Sequence, residues 1–113
     1  MHEMSLCESI LQIMEGQART QDFGRVKTVW LEIGRLSGVE VDALRFAFDA
    51  VTRDSLAAGA RLEIIDQPGQ AWCMQCSRNI EVTERFDPCP LCGGHQVQVT
   101  GGDEMRIKEL EVE

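Results

Sequence analysis

The stretch from Cys73 to Cys92 constrains this chain more than any other. It reads Cys73-Met-Gln-Cys76, then twelve residues, then Cys89-Pro-Leu-Cys92-Gly-Gly. Two Cys-x-x-Cys pairs at this separation make a tetrahedral thiolate site in many small domains. The short gap folds each pair into a tight knuckle, with both sulfurs aimed at one centre. Pro90 fixes φ inside the second knuckle, and Gly93 is free to take the left-handed conformation that closes it. The expected occupant is zinc, held by Cys73, Cys76, Cys89 and Cys92 in a closed structural role. The segment from Pro68 to Gly102 is too short to build a core of its own, so metal is expected to supply most of its folding free energy.

Two other uses of the four sulfurs stay open at this stage. Cys-Pro-x-Cys-Gly also resembles a rubredoxin knuckle, which would hold iron and carry electrons. A disulfide pair needs an oxidising compartment, and the N-terminus lacks the basic and apolar segments of a secretory signal. A reducing, cytoplasmic setting is therefore expected.

Charge narrows the partners. Acidic residues number 19 against 11 basic ones, a formal net charge of -8. Phosphate backbones need a basic surface, so nucleic acid is not an expected partner. The apolar runs are only a few residues long, so no membrane insertion is expected.

Hydrophobic periodicity predicts an α+β fold, with two helices on a three-stranded mixed β-sheet and an inserted four-cysteine, zinc-ribbon-like module. Ser5-Leu-Cys-Glu8 has the form of a capping box, and Cys7, Ile10, Leu11, Met14 and Ala18 then recur at helical spacing. Phe23-Gly24 reads as the stop of that helix. Cys7 falls on the apolar face and is expected as a small buried residue. Val26 to Arg35 alternates as a strand, with Val29, Leu31 and Ile33 on one face. Ser37-Gly-Val-Glu40 is a second capping-box candidate, ahead of a helix from about Glu40 to Arg53. Arg45 and Asp49 are spaced as a solvated i,i+4 pair.

Strands are expected over Arg61 to Asp66 and about Glu104 to Val112. The apolar parity of the last one changes near Lys108-Glu109, where a bulge is expected. The module thus sits between two strands of one sheet, giving 1–67 with 102–113 as one domain and 68–101 as the other. Its glycine-containing joints permit a pivot.

The first three residues carry a separate chemical possibility. His2 is bulky and initiator methionine is removed ahead of small residues, so Met1 is expected to stay. A terminal amine, the His2 amide nitrogen and the His2 ring nitrogen close two fused chelate rings on one metal. Such nitrogen-rich planar sites favour Cu(II) or Ni(II) over zinc. Glu3 completes the set through its backbone nitrogen or its carboxylate. Catalytic sets are not evident: there is no Walker-type phosphate loop and no Ser/His/Asp or Cys/His arrangement. His95, three residues past the second knuckle, is expected as an exposed loop residue. Trp30 and Trp72 read either as packed residues or as partner anchors.

Four segments in order carry a specific resemblance: Met1-His-Glu-Met-Ser-Leu6, Leu31-Glu-Ile-Gly-Arg-Leu-Ser-Gly-Val-Glu40, the two cysteine pairs, and Leu110-Glu-Val-Glu113. Over essentially its whole length the chain resembles the HypA/HybF family of hydrogenase-maturation nickel chaperones. The resemblance implies a nickel site at Met1, His2 and Glu3, and zinc at Cys73, Cys76, Cys89 and Cys92. It implies a non-enzymatic carrier that delivers Ni(II), with a HypB-type GTPase, to the large subunit of [NiFe] hydrogenase. Some members also serve urease. Certain members place a histidine shortly after each cysteine pair; here Ser77, Arg78 and Asn79 follow the first, and only the second is followed by one, His95. A zinc-containing adaptor that binds protein and no nickel is the remaining alternative.

Overall fold

The computed structural model describes residues 2–113. The chain separates into two compact units, one of Met1–Leu31, Val39–Ile64 and Ile107–Glu113, the other of Glu32–Gly38 and Ile65–Arg106. In chain order the elements are α1 (Glu3–Gln21), β1 (Val26–Gly34), α2 (Val41–Val51), β2 (Arg61–Gln67), β3 (Gly69–Cys73), β4 (Arg78–Val82), β5 (Val97–Gly101) and β6 (Met105–Val112). The predicted class is what the structure has: two helices with a mixed three-stranded sheet, ordered β2-β1-β6, plus a four-cysteine cluster.

Both capping boxes were misplaced. α1 begins at Glu3 with His2 at its N-cap, so Ser5 lies inside the helix. At α2 the cap is Glu40 itself, whose carboxylate accepts the N–H groups of Asp42 and Ala43 at 3.2 and 2.9 Å. A glutamate here satisfies two orphan helix donors, the work a serine does elsewhere. α1 ends with Asp22 in the left-handed region (φ 57), one residue ahead of the expected Phe23-Gly24 stop.

The helices meet through the predicted faces. Cys7, Ile10 and Met14 of α1 and Leu44, Ala47 and Phe48 of α2 are buried, and the Cys7 thiol donates to the Leu44 carbonyl at 3.6 Å. Arg45 does not pair with Asp49; its guanidinium donates to the Leu62 carbonyl at 2.8 Å, while Asp49 faces Arg53 at 3.7 Å.

β1 departs from simple alternation. Thr28 and Glu32, expected on a polar face, are buried along with Val29, Leu31 and Ile33. β1 is the central strand, so its polar positions also lie beneath neighbours and must find partners. Thr28 Oγ1 donates to Glu111 at 2.7 Å, and Glu32 accepts from Gln67 at 2.6 Å and Arg106 at 3.0 Å. In β6 the partly buried residues run Met105, Ile107, then Leu110, so alternation slips where the parity change was read.

The second sheet, ordered β4-β3-β5, was not foreseen, because its five-residue strands are too short to show a period. It is antiparallel on both sides of β3, with Trp72 opposite Asn79 and Gln98. One face packs into a small cluster of Leu36, Ala71, Cys73, Ile80, Val82 and Cys89. The segment from Pro68 to Gly102 thus shares a small core with Leu36, which lies outside it, and two of the core's members are sulfur donors. Gly69 and Gly102 are needed for close backbone approach: a Cβ on Gly102 would collide with the Pro68 carbonyl, and one on Gly69 with the Val82 carbonyl. Gly102 also sits at φ +74, where only glycine is at ease.

Candidate metal centres

β3 ends at Cys73, and the chain turns through Met74-Gln75-Cys76 into β4. The Cys76 N–H donates to Cys73 Sγ at 3.4 Å, which pins the first knuckle. Ser77 closes it at φ 50. The second knuckle repeats the device. The Leu91 N–H donates to Cys89 Sγ at 3.4 Å, the Gly93 N–H to the Cys89 carbonyl at 2.8 Å, and Gly93 takes φ +73. The left-handed role expected of Gly93 is thus confirmed; its counterpart Ser77 gave no signal, since serine is not a marked left-handed former.

The knuckles bring four sulfurs together. Cys73 and Cys92 Sγ lie 3.7 Å apart, Cys76 and Cys89 Sγ 3.9 Å apart, and all four lie within 4.8 Å of one another. A tetrahedron with metal–sulfur bonds of about 2.3 Å has edges of about 3.8 Å, so the cage fits zinc. A disulfide needs sulfurs at about 2 Å, and the five cysteines are free. His95 is exposed and stands outside the group, as expected.

The sulfurs are chemically unequal. Cys73 and Cys89 are buried, Cys76 is half-buried and Cys92 is exposed, its thiol directed at Gln75 Oε1 at 3.4 Å. As thiols they crowd one another. Hydrogen bonding to Cys92, then burial, pushes Cys76 up to about 12. At Cys89 burial is the largest single influence and pushes upward. Donors from Cys92, Leu91 and Cys73 together outweigh it and bring the thiol down to about 7. A divalent cation resolves the conflict by holding all four as thiolates.

The front end is a different environment. His2 is exposed and its side chain caps nothing. Its carbonyl accepts the Leu6 N–H at 3.1 Å, the first turn of α1. Glu3 is half-buried, and its Oε2 accepts the Glu40 N–H at 3.3 Å. Met1, the remaining expected nickel donor, lies outside the described residues.

Comparisons with known proteins agree over the full length. The family model described as HypA, hydrogenase/urease nickel incorporation, metallochaperone, matches residues 1–112. The chain is 64% identical to the hydrogenase maturation factor HypA of Albidiferax ferrireducens and 63% identical to that of Alkalilimnicola ehrlichii, covering all of both chains. It is also similar to the solution structure of the Ni metallochaperone HypA from Helicobacter pylori, at TM-score 0.72 and 28% identity, over 99% of this chain and 97% of that one. This chain belongs to the HypA family of nickel-incorporation metallochaperones of hydrogenase maturation, whose work is metal handling and not catalysis.

Proposed function

We propose that this protein carries Ni(II) on Met1, His2 and Glu3 and passes it, with a HypB-type GTPase, to the large subunit of [NiFe] hydrogenase. Cys73, Cys76, Cys89 and Cys92 hold a permanent zinc. In this reading residues 1–67 with 102–113 form the nickel-binding domain and 68–101 the zinc-binding domain, in the reducing cytoplasm.

The observation that carries the nickel assignment is the state of the helix start. α1 opens at Glu3 with no side-chain cap, and its first backbone carbonyl bond goes from Leu6 to His2. The N–H groups ahead of Leu6 have no acceptor within the helix. The nitrogens of His2 and Glu3 are therefore not committed to the helix ladder, and the exposed imidazole stands beside them. A helix N-terminus repels a bare cation but favours anionic donors. Metal binding that displaces amide protons turns that opposition into support, and affinity should rise with pH. Donors clustered at a chain end leave one side open, so an acceptor ligand enters before the first ligand leaves.

Ni(II) titration of zinc-loaded protein with its native start tests this. His2→Ala and an N-terminal extension, which makes the amine an amide, should each weaken binding at least about tenfold. Unchanged affinity in both sinks the assignment.

A further inference from the structure

The turn after β4 holds a side chain that neither folding nor solubility favours. The Asp87 N–H donates to the Glu84 carbonyl at 3.3 Å, closing a four-residue turn with Arg85 and Phe86 at its tip. Phe86 takes φ 69 in the third position, where such turns require glycine or asparagine. An ordinary L-residue there is strained, because its Cβ crowds the following carbonyl oxygen. The turn is nonetheless held in place: Asp87 Oδ2 accepts the Thr83 hydroxyl at 2.9 Å and the Glu84 N–H at 3.1 Å. Phe86, so displayed, is 94% exposed.

A cavity of 190 Å³ opens beside the ring. Val82, Val97 and Val99 give its lining an apolar part, and Phe86 and His95 line it as well. Glu84 and Asp87 bring two carboxylates to the lining against one cation, Arg85, which also pairs with Asp103 at 3.8 Å. An apolar lining with room for one side chain, an exposed aromatic anchor and an excess of carboxylate over cation together describe a binding site for a basic, apolar segment.

We propose that the turn 84–87 and the valine-lined cavity dock a protein segment that presents a branched apolar side chain next to a lysine or arginine. The apolar side chain enters between Phe86 and the valines, and the cation meets Glu84. No nickel or zinc donor takes part, so this docking is separate from metal carriage. The strained backbone at Phe86 is then retained for binding, since folding alone favours glycine there.

The test uses the full zinc-loaded chain, labelled for NMR, and a blocked peptide of glycine, lysine, leucine, lysine and glycine. Saturable shifts should appear at amides 82–87 and 95–99, and a sister peptide with glutamate for lysine should cause none. Phe86→Gly should weaken peptide binding at least about fivefold while raising the thermal midpoint. Glu84→Lys should weaken it about threefold with the valines intact. Equal response to both peptides, shifts confined to other residues, unaltered affinity in Phe86→Gly, or a lowered midpoint in that variant would each overturn the proposal.

Discussion

The carboxylate of Glu3 accepts the backbone N–H of Glu40 at 3.3 Å, so the first residue of α1 is tied to the residue that starts α2. Glu40 in turn caps α2 with its own side chain. Glu3→Gln keeps an acceptor oxygen and should leave stability within about 0.5 kcal/mol, whereas Glu3→Ala should cost about 1 kcal/mol. Glu40→Ala removes a cap with two bonds and should cost about 1–2 kcal/mol. Urea denaturation followed by helical circular dichroism ranks the three.

Gly102 leaves no room for a side chain. At φ +74, and with the Pro68 carbonyl against it, Gly102→Ala should destabilise by about 2–4 kcal/mol. Gly24, at ordinary φ with open space around it, is the control: Gly24→Ala should change stability by less than about 1 kcal/mol. Tryptophan fluorescence against urea reads both.

Glu32 keeps only 11% of its side chain exposed and depends on Arg106 and Gln67 for partners. Arg106→Ala should cost about 1–2 kcal/mol, because the carboxylate loses a charged donor but keeps its burial. Adding Glu32→Gln should recover part of that loss. A double-mutant cycle in urea gives the coupling, and strict additivity would disprove it.

The Cys7 thiol is pushed up to about 11, by burial first and by the Glu3 charge second. A pKa raised in the folded state adds stability that is fully present below the unfolded value near 9. That stability disappears as pH rises from 9 through 11. Against Cys7→Ala, the native protein should lose about 2 kcal/mol over that window. Parallel pH profiles for the two proteins would refute this. At neutral pH the buried thiol should also resist alkylation while the fold is intact.

The metal cage makes a compositional prediction. Untagged protein should purify colourless with one zinc per chain, since iron in four thiolates is red. Chelation should become easier as pH falls, because protons compete for the sulfurs. Zinc removal should collapse the residues around Cys73 and Cys89, which belong to the core of the second sheet. Chromophoric chelator competition at pH 6 and 7.5, with amide exchange on β3 and β4, measures each effect.

Much of this arrangement is legible in the residues. The Cys-x-x-Cys pairs specify the cage because local turn geometry alone aims the sulfurs. The α1 and α2 faces are legible because eleven or more residues show a 3.6 period clearly. What stayed hidden depends on tertiary neighbours. Glu32 reads as a surface carboxylate until β1 proves central. Glu40 reads as the end of a capping box until its own side chain proves to be the cap. The strands β3, β4 and β5 are too brief for any periodic signal, and Phe86 looks like an ordinary loop residue until its backbone angle is known.

Cys92 is the most exposed cysteine of the cage, Cys76 is half-buried, and Cys73 and Cys89 are sealed. Peroxide, a soft competing ion such as cadmium, or an incoming thiolate reaches the cluster most readily at Cys92. Damage and exchange should therefore follow a fixed sequence, with Cys92 detaching first and the inner pair last. An oxidised Cys92 would mark the onset of zinc loss while the rest of the fold was still standing.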